Sequence, residues 1–470
     1  MTRRILLITN CEYGQANVVL ALAYELATRP DVQVAIASFA PLEKRVAHIQ
    51  NELRDTGFDS ADVSFYLLPG RGHIAAVGMT RLDTPHGPGV KEALHSFRYA
   101  PSMLLPWTES EYRDQLQTIE NIVQKFQPDI VGVEWFLRAG QDACKKLGVK
   151  LFVITPNSSK DLVSFRQSAS LWKLPALSSG FDYPLPWSKV PSNVYINLQL
   201  IAGIKMSPMV KKANKLRRVY NKSEKPILFD PRVQYLCPST PDLDFPLSIP
   251  SNITLCGPLV MPTAPIELVD PSLATWLDQA PTILVNLGSH VTFDSSAIHE
   301  LVGGFRMLLK HHPTIQILWK LLPEGDVQDT FEECAEMDQN IHGRLRVVQW
   351  LHSEPFAVLQ HPNVICSVHH GGANSFFEAV SAGVPHVILP VWYDTYDYAT
   401  RAEWLGIGIW GSRRSAPKAE SSEFGQALLR VAGLSLEAEG FRAKAKRLAE
   451  SCKTRYTGRV LAADEVLKML

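Results

Sequence analysis

Neither sign of charge is in excess in this chain: 47 Lys and Arg stand against 47 Asp and Glu over 470 residues. With no global field to draw it to nucleic acid or a membrane surface, any anion site must be local. Long apolar runs are missing as well. The longest suspicious piece, 194–204, is interrupted by Asn197 and Gln199 and falls well short of the roughly 20 residues a membrane span needs. The stretch Ile5 to Thr9 is strand length and runs into Asn10-Cys11-Glu12 rather than a cleavage site, so no signal peptide is expected. Paired cysteines are lacking: the seven are scattered, odd in number and without a CxxC, which excludes a disulfide framework and points to free thiols in a reducing, cytoplasmic setting. The sequons at Asn157, Asn221 and Asn252 then carry no weight. A dinucleotide fingerprint is absent too, because the turn Asn10–Gln15 holds a single glycine, which argues against NAD.

The chain is too long for one ordinary core, and 46% hydrophobic with 20% charged residues is a globular composition, so two domains are expected. Strands read at Arg4–Thr9, Val32–Ala37, Asp129–Val133 and Leu151–Ile154, each beside helical segments. After a proline-rich tract from Pro238 to Pro271 the pattern restarts, with Thr282–Ser289 running into a glycine turn. Further strands follow at Ile315–Leu321, Arg346–Trp350, Val364–Val368 and Val387–Leu389. The fold class expected is α/β, two facing Rossmann-like, doubly wound parallel sheets with a cleft between them. Expected boundaries are 1–258 for the first domain, 259–280 for a linker and 281–450 for the second.

Chemistry concentrates between Trp350 and Asp394. Val364–Val368 leads into the turn His370-Gly-Gly-Ala-Asn-Ser375, an apolar helical stretch starts at Phe376, and Gly383-Val-Pro385 stops it. Strand, glycine turn and helix together present backbone N–H groups and a positive helix end to a phosphate. His370, Asn374 and Ser375 can add donors, Trp350 can stack on a base, and Glu378 can accept from a ribose diol. Gly288-Ser289 makes a second glycine turn, expected to offer N–H groups to the same diphosphate. Glu378 has a competing role, since Ser375-x-x-Glu378 at a helix start is a capping box. His369 and His370 are adjacent on one backbone, so they diverge and do not suggest a metal site. The D-x-D of Asp242-Leu-Asp244 sits among Pro238, Pro241 and Pro246 and reads as turn chemistry. No metal and no cofactor are expected.

Trp350, His370-Gly-x-x-Asn374-Ser375, Glu378, Gly383-Val-Pro385, Pro390 and Asp394 resemble the signature box of the UDP-glycosyltransferase family. The resemblance implies the GT-B fold and inverting transfer of a sugar, glucose first among the candidates, from a UDP-sugar co-substrate to a small lipophilic or phenolic acceptor. It also implies that the last helix, about 451–470, crosses back onto the first domain, and that Gly288, Ser289, Trp350, His370, Gly372, Asn374, Ser375, Glu378, Asp394 and Thr395 serve the donor. Two departures stand out in the box: Thr395 replaces the family's sugar-binding Gln, and Ser353 stands where a Gln usually follows the tryptophan. A third lies in the first turn, where the family's catalytic His is replaced by Gln15, and an amide is no general base near neutral pH.

Glu134, which aligns with the acidic residue that orients that His, becomes the first candidate base, followed by His86 in the Asp83–Gly89 loop, with His73 and Glu12 behind them. Trp107, Trp172, Phe181, Tyr183 and Trp187 are apolar enough to line an acceptor pocket. Two rivals, a catalytically impaired auxiliary protein of the same fold and a sugar-nucleotide epimerase, are argued against by the intact phosphate turn and the tryptophan-led box.

Overall fold

In a computed structural model of the protein, residues 2–58, 62–78, 85–221, 229–325, 327–336, 341 and 343–470 are described. Asp83 and Thr84 of the His86 loop, and Lys222 and Ser223 of the Asn221 sequon, lie outside them. The first sheet comprises β1 (Arg3–Ile8), β2 (Val32–Ser38), β3 (Val63–Leu67), β4 (Ile130–Glu134), β5 (Leu151–Ile154), β6 (Gln234–Cys237) and β7 (Ile253–Leu255). The second comprises β8 (Thr282–Asn286), β9 (Gln316–Lys320), β10 (Leu345–Val348), β11 (Val364–His369), β12 (His386–Ile388) and β13 (Gly408–Trp410). Strand orders are β3-β2-β1-β4-β5-β6-β7 and β10-β9-β8-β11-β12-β13, and every pairing is parallel. Two doubly wound parallel sheets make this an α/β, GT-B architecture.

The sequence of β1 shows why such strands are central. Ile5, Leu6, Leu7 and Ile8 are all fully buried. Because side chains alternate, Ile5 and Leu7 enter one core cluster with the helix Tyr13–Ala27, while Leu6 and Ile8 enter another with Tyr112 and Ile119 on the opposite face. A continuous apolar run therefore marks a strand covered on both faces. The strands not legible beforehand are β3, β6, β7 and β13, the last three only three or four residues long. Two of them correct the picture of the middle of the chain: β6 ends at Cys237, and β7 adds a first-sheet strand inside the proline-rich tract. Downstream of β7, the helices Ile266–Val269 and Pro271–Leu277 precede β8.

The helix Arg459–Lys468 returns to the first sheet: Ala462, Ala463 and Val466 share a core cluster with Leu22 and Leu26, and Arg459 pairs with Glu25 at 3.1 Å. A second tie joins the halves. Arg401, on the helix Thr395–Leu405, donates to Asp244 at 2.8 Å and to Ser158 at 3.1 Å, and Lys160 pairs with Asp397. Ser159 also donates to Asp244 at 2.6 Å. Asp244 is thus more than a turn residue, because its carboxylate is buried as one end of an interdomain ion pair. Removing one partner from such a pair costs about 3–5 kcal/mol, since the other charge is left buried alone.

Among the described residues, no helix is long and apolar enough to cross a membrane, and no group of three His, Cys, Asp or Glu is placed to hold a metal ion.

Candidate functional site

Between the carboxyl ends of the two sheets lies a cavity of about 1240 Å³, lined from both halves. Gln15, Gly288, Ser289, Trp350, His370, Gly372, Asn374, Ser375, Glu378, Asp394 and Thr395 all face it, and Glu134 and His86 do not. Ligands of open parallel sheets bind at this end because strands deliver turns and helix N-termini there.

The turn after β11 is arranged around one imidazole. Gly288 has φ +88, and a Cβ on it would lie 2.8 Å from the His370 ring; one on Gly372 would lie 2.5 Å from Nε2. Any side chain at either glycine would push the ring away. His370 Nδ1 is buried without a protein partner, and burial lowers the ring pKa to about 4, aided by nearby His290 and Lys320. The ring is neutral near pH 7, and its unsatisfied nitrogen suits a bound polar ligand. His369 is spent on structure: its Nδ1 accepts from Gly371 N–H at 3.1 Å and its Nε2 meets His386 Nδ1 at 2.9 Å.

The helix after this turn begins at Ala373, three residues before the apolar spacing starts, with Gly372 as its cap. Asn374 and Ser375 therefore sit in the first helical turn, and no capping box forms. Glu378 instead accepts from Asn374 Nδ2 at 2.9 Å, and burial raises its pKa to about 8, with Glu354 adding repulsion.

Other expectations change in detail. The Gly288 N–H is not open to a phosphate, because it donates to Asn286 Oδ1 at 3.1 Å. The Gly288 carbonyl accepts from Lys320 Nζ at 3.0 Å, placing an ammonium at this turn. The Thr395 hydroxyl is absorbed by its own turn, donating to Trp392 O and accepting from the N–H groups of Val391 and Trp392 at 3.2 and 3.1 Å. It therefore does not stand in for the missing sugar-binding amide. Trp350 lies two residues beyond β10 and is 47% exposed. Lys320 Nζ sits 3.7 Å over its ring and Tyr13 packs against it at 5.8 Å, with Arg45 4.3 Å over Tyr13. This column, two rings in contact with a cation at each end, bridges the cleft. Lys320 could have been noticed as a charge closing the apolar strand β9, whereas Tyr13 and Arg45 gave no signal.

Neither candidate base faces the cavity. Glu134 is fully buried; it accepts from Asn10 Nδ2 at 2.7 Å and from Phe136 N–H at 3.0 Å, and desolvation raises its pKa to about 7. His86 is a strut between the halves: Nδ1 donates to Gly87 O at 2.8 Å and Nε2 accepts from Tyr393 N–H at 3.1 Å. With both nitrogens engaged it has no lone pair to offer an acceptor. His73 is fully buried beside Trp107 and Phe136, its Nε2 bonded to Met103 O at 2.9 Å. Glu12 faces the cavity but already accepts from Ile74 N–H at 3.0 Å. Gln15 also faces it, with a buried, unpartnered Oε1.

The proposed aromatic wall lies elsewhere as well. Trp107 and Phe181 are core residues, Tyr183 packs on Phe245 and Trp404, and Trp172 and Trp187 are exposed. The apolar wall is built instead by Ile74, Met103, Leu104, Trp135, Phe136 and Leu177.

One cavity residue, Asp161, escaped sequence reasoning; it faces the cavity together with the expected Asp394. Asp161, on the short helix Ser159–Val163 that follows β5, and Asp394, from the other half, both face the cavity, with no ion pair to either among the described residues. Burial raises them to about 7 and 6 respectively, with Asp394 and Asp397 adding repulsion on Asp161 and Asp397 adding it on Asp394. Asp394 accepts from Asn157 Nδ2 at 3.3 Å. The rule that ligands sit beyond strand carboxyl ends could have found Asp161.

Residues 327–464 match the family model "Erythromycin biosynthesis protein CIII-like, C-terminal domain". The chain is 37% identical to the glycosyltransferase sdnJ of Sordaria araneosa, over 98% of this chain and 97% of the relative. Its fold is that of the Phytolacca americana UGT2 complexed with UDP-2fluoro-glucose and pterostilbene (TM-score 0.64, 16% identity, 100% and 99% covered). It is equally that of Medicago truncatula UGT71G1 complexed with UDP-glucose (TM-score 0.65, 17% identity, 99% and 97% covered).

Proposed function

The chain belongs to the UDP-glycosyltransferase family and is a UDP-sugar-dependent glycosyltransferase, and we propose that it transfers a hexose, glucose first, with inversion to a small lipophilic acceptor. The observation that carries the reading is the cavity in which the His370 turn, Trp350 and an apolar wall from the first half meet. The uracil stacks on Trp350, and the diphosphate lies at His370, Asn374, Ser375 and the N-terminus of the helix Ala373–Ala382. Glu378 turns from Asn374 to the ribose. Asp161 and Asp394 close on the sugar, whose hydroxyls are donors for two carboxylates otherwise short of partners.

Transfer is an in-line displacement. The acceptor oxygen bonds to the anomeric carbon as the bond from that carbon to the diphosphate oxygen breaks, and its electron pair leaves with UDP. The charge developing on UDP is met by His370, by the N–H groups and hydroxyl of the helix start, and by Lys320 at the Gly288 turn. No metal is assigned a part, since these groups supply the electrophilic side.

The acceptor proton is the unusual element. With Gln15 in the first turn and Glu134 and His86 turned away from the cavity, the reading favours an acidic phenol or a carboxylic acid, which has already given its proton to solvent near pH 7 and attacks as the anion. The seven free cysteines suit a reducing, cytoplasmic setting. The test is a donor panel of UDP-glucose, UDP-galactose, UDP-GlcNAc and GDP-mannose against phenolic, carboxylic and aliphatic acceptors, with nucleotide release measured. Release from UDP-glucose with phenols or acids is the expected result. Release from GDP-mannose alone, or only with aliphatic alcohols, overturns the donor or the acceptor assignment respectively.

A further inference from the structure

The segment ruled out above as a membrane span has an outer face that the transfer reaction does not use. The helix Val190–Met206 carries no charge before Lys205. Its inner side holds Asn193, Ile196 and Leu200, all buried, and Leu200 and Ile204 line the cavity. Its exposed side should be polar on an ordinary surface helix. Instead Tyr195, Leu198 and Met206 are 48%, 51% and 70% exposed, at the spacing of one helical face. Trp187 just before the helix is 88% exposed and Met209 just after it 48%. Phe165 and Trp172, close by in the chain, are exposed too.

Charge is distributed as unevenly as apolarity. Residues 162–221 hold nine Lys and Arg (Arg166, Lys173, Lys189, Lys205, Lys211, Lys212, Lys215, Arg217, Arg218) and one acid, Asp182, in a chain whose net charge is zero. Arg217 is buried against Asp142, and Asp182 is paired with Arg413. Lys189, Lys205, Lys211, Lys212, Lys215 and Arg218 are exposed along the two consecutive helices Val190–Met206 and Pro208–Asn221. On the neighbouring helix Val90–Ser96, Glu92 is accompanied by Lys91 and, two residues beyond the helix, Arg98.

We propose that this face docks the enzyme on an anionic membrane surface, with the helix Val190–Met206 lying in the plane of the headgroups. An apolar stripe flanked by lysines, on a helix too short to span, is the pattern that seats in the headgroup region. Positive charge without acid selects anionic lipid, each cation near the surface strengthening binding roughly fivefold. A symmetric contact with a second copy would press this basic face against itself, which opposes self-association. Because the inner side of the same helix lines the cavity, docking would also set the acceptor side of the site beside the bilayer.

Flotation of the full chain with vesicles tests this. Binding is expected to vesicles of phosphatidylcholine with phosphatidylserine, to fall as salt rises, and to be far weaker on phosphatidylcholine alone. Leu198→Glu combined with Met206→Glu should abolish flotation, and Lys211→Glu with Lys212→Glu should weaken it at least 25-fold, the product of two fivefold losses. UDP titration and the thermal transition should be unchanged in both variants, which separates lost docking from lost fold. Absence of flotation on anionic vesicles, or flotation of the Leu198/Met206 variant equal to the parent, overturns the proposal. So does concentration-dependent dimerisation in ultracentrifugation that the same variant abolishes, because the face would then belong to a second copy.

Discussion

The two halves present the same device, a turn from a parallel strand into a helix, and use it in opposite ways. After β11, the backbone is drawn tight: Gly288 and Gly372 hem in His370, whose Nδ1 is left without a partner, and the first helical turn opens on the cavity. After β1, the polar groups are turned inward: Asn10 is bonded to Glu134 and Glu12 to Ile74 N–H, leaving Gln15 with an amide oxygen that no protein group meets. The second turn is built from backbone and steric constraint, so substitutions there break it. In the first turn the group presented to the cavity is a side chain, the Gln15 amide. On the proposed reading, donor recognition rests on backbone and steric constraint, and acceptor activation on side chains of the first turn.

The comparison breaks most visibly at His370. His370→Ala should lower kcat by about 10²–10³, the usual cost of one donor to a developing anion, and Gly372→Ala should approach that loss by displacing the ring. Steady-state UDP release measures both, and wild-type rates in the pair would mean that the turn does not carry the leaving group. Next comes Trp350→Ala, expected to weaken UDP by about 1–3 kcal/mol in calorimetry, the range for a base stacked on an aromatic ring. Since Tyr13 and Lys320 share that ring, Tyr13→Ala should change UDP affinity less than Trp350→Ala does.

A smaller effect is expected from the carboxylates facing the cavity. Asp161 and Asp394 have pKa values raised in the fold, to about 7 and 6, so the folded state holds their protons more tightly than the unfolded chain. Their contribution is full below the ordinary carboxylate range and is lost as pH rises through about 6 to 7. Melting of the ligand-free enzyme should therefore occur at lower temperature at pH 8 than at pH 5, and Asp161→Asn should reduce that difference. An unchanged pH dependence in Asp161→Asn would show that burial does not hold a proton on this carboxyl.

The smallest effect sharpens the comparison from the other side. Glu134→Gln and His86→Ala should leave kcat with a phenolic acceptor within about threefold of the parent, where loss of a true base would cost about 10²–10⁴. A loss of that larger size in Glu134→Gln alone would restore it as the base.

Legibility differed between the halves for a physical reason. The His370 turn could be read because its parts are contiguous: strand, glycines, donors and helix follow one another within 25 residues of Trp350. Donor-side details that depended on hydrogen bonding were missed, as when Asn286 claims the Gly288 N–H and the Thr395 hydroxyl closes its own turn. The acceptor side was misread more deeply. Its apolar wall comes from separate segments, and the base chemistry of His86 is cancelled by Tyr393, 307 residues away, whose N–H occupies its Nε2.

What the sequence determined by itself was the set of local, periodic features: apolar runs that must be covered on both faces, turns that need glycine, and a helix start that favours anions. These follow from backbone sterics and side-chain alternation, which act over a few residues. The tertiary structure alone decided which polar groups remain open to the cavity. That depends on partners from distant strands, as when Asn10 and Phe136 take up Glu134 while Asp161 and Asp394 reach the cavity from opposite halves.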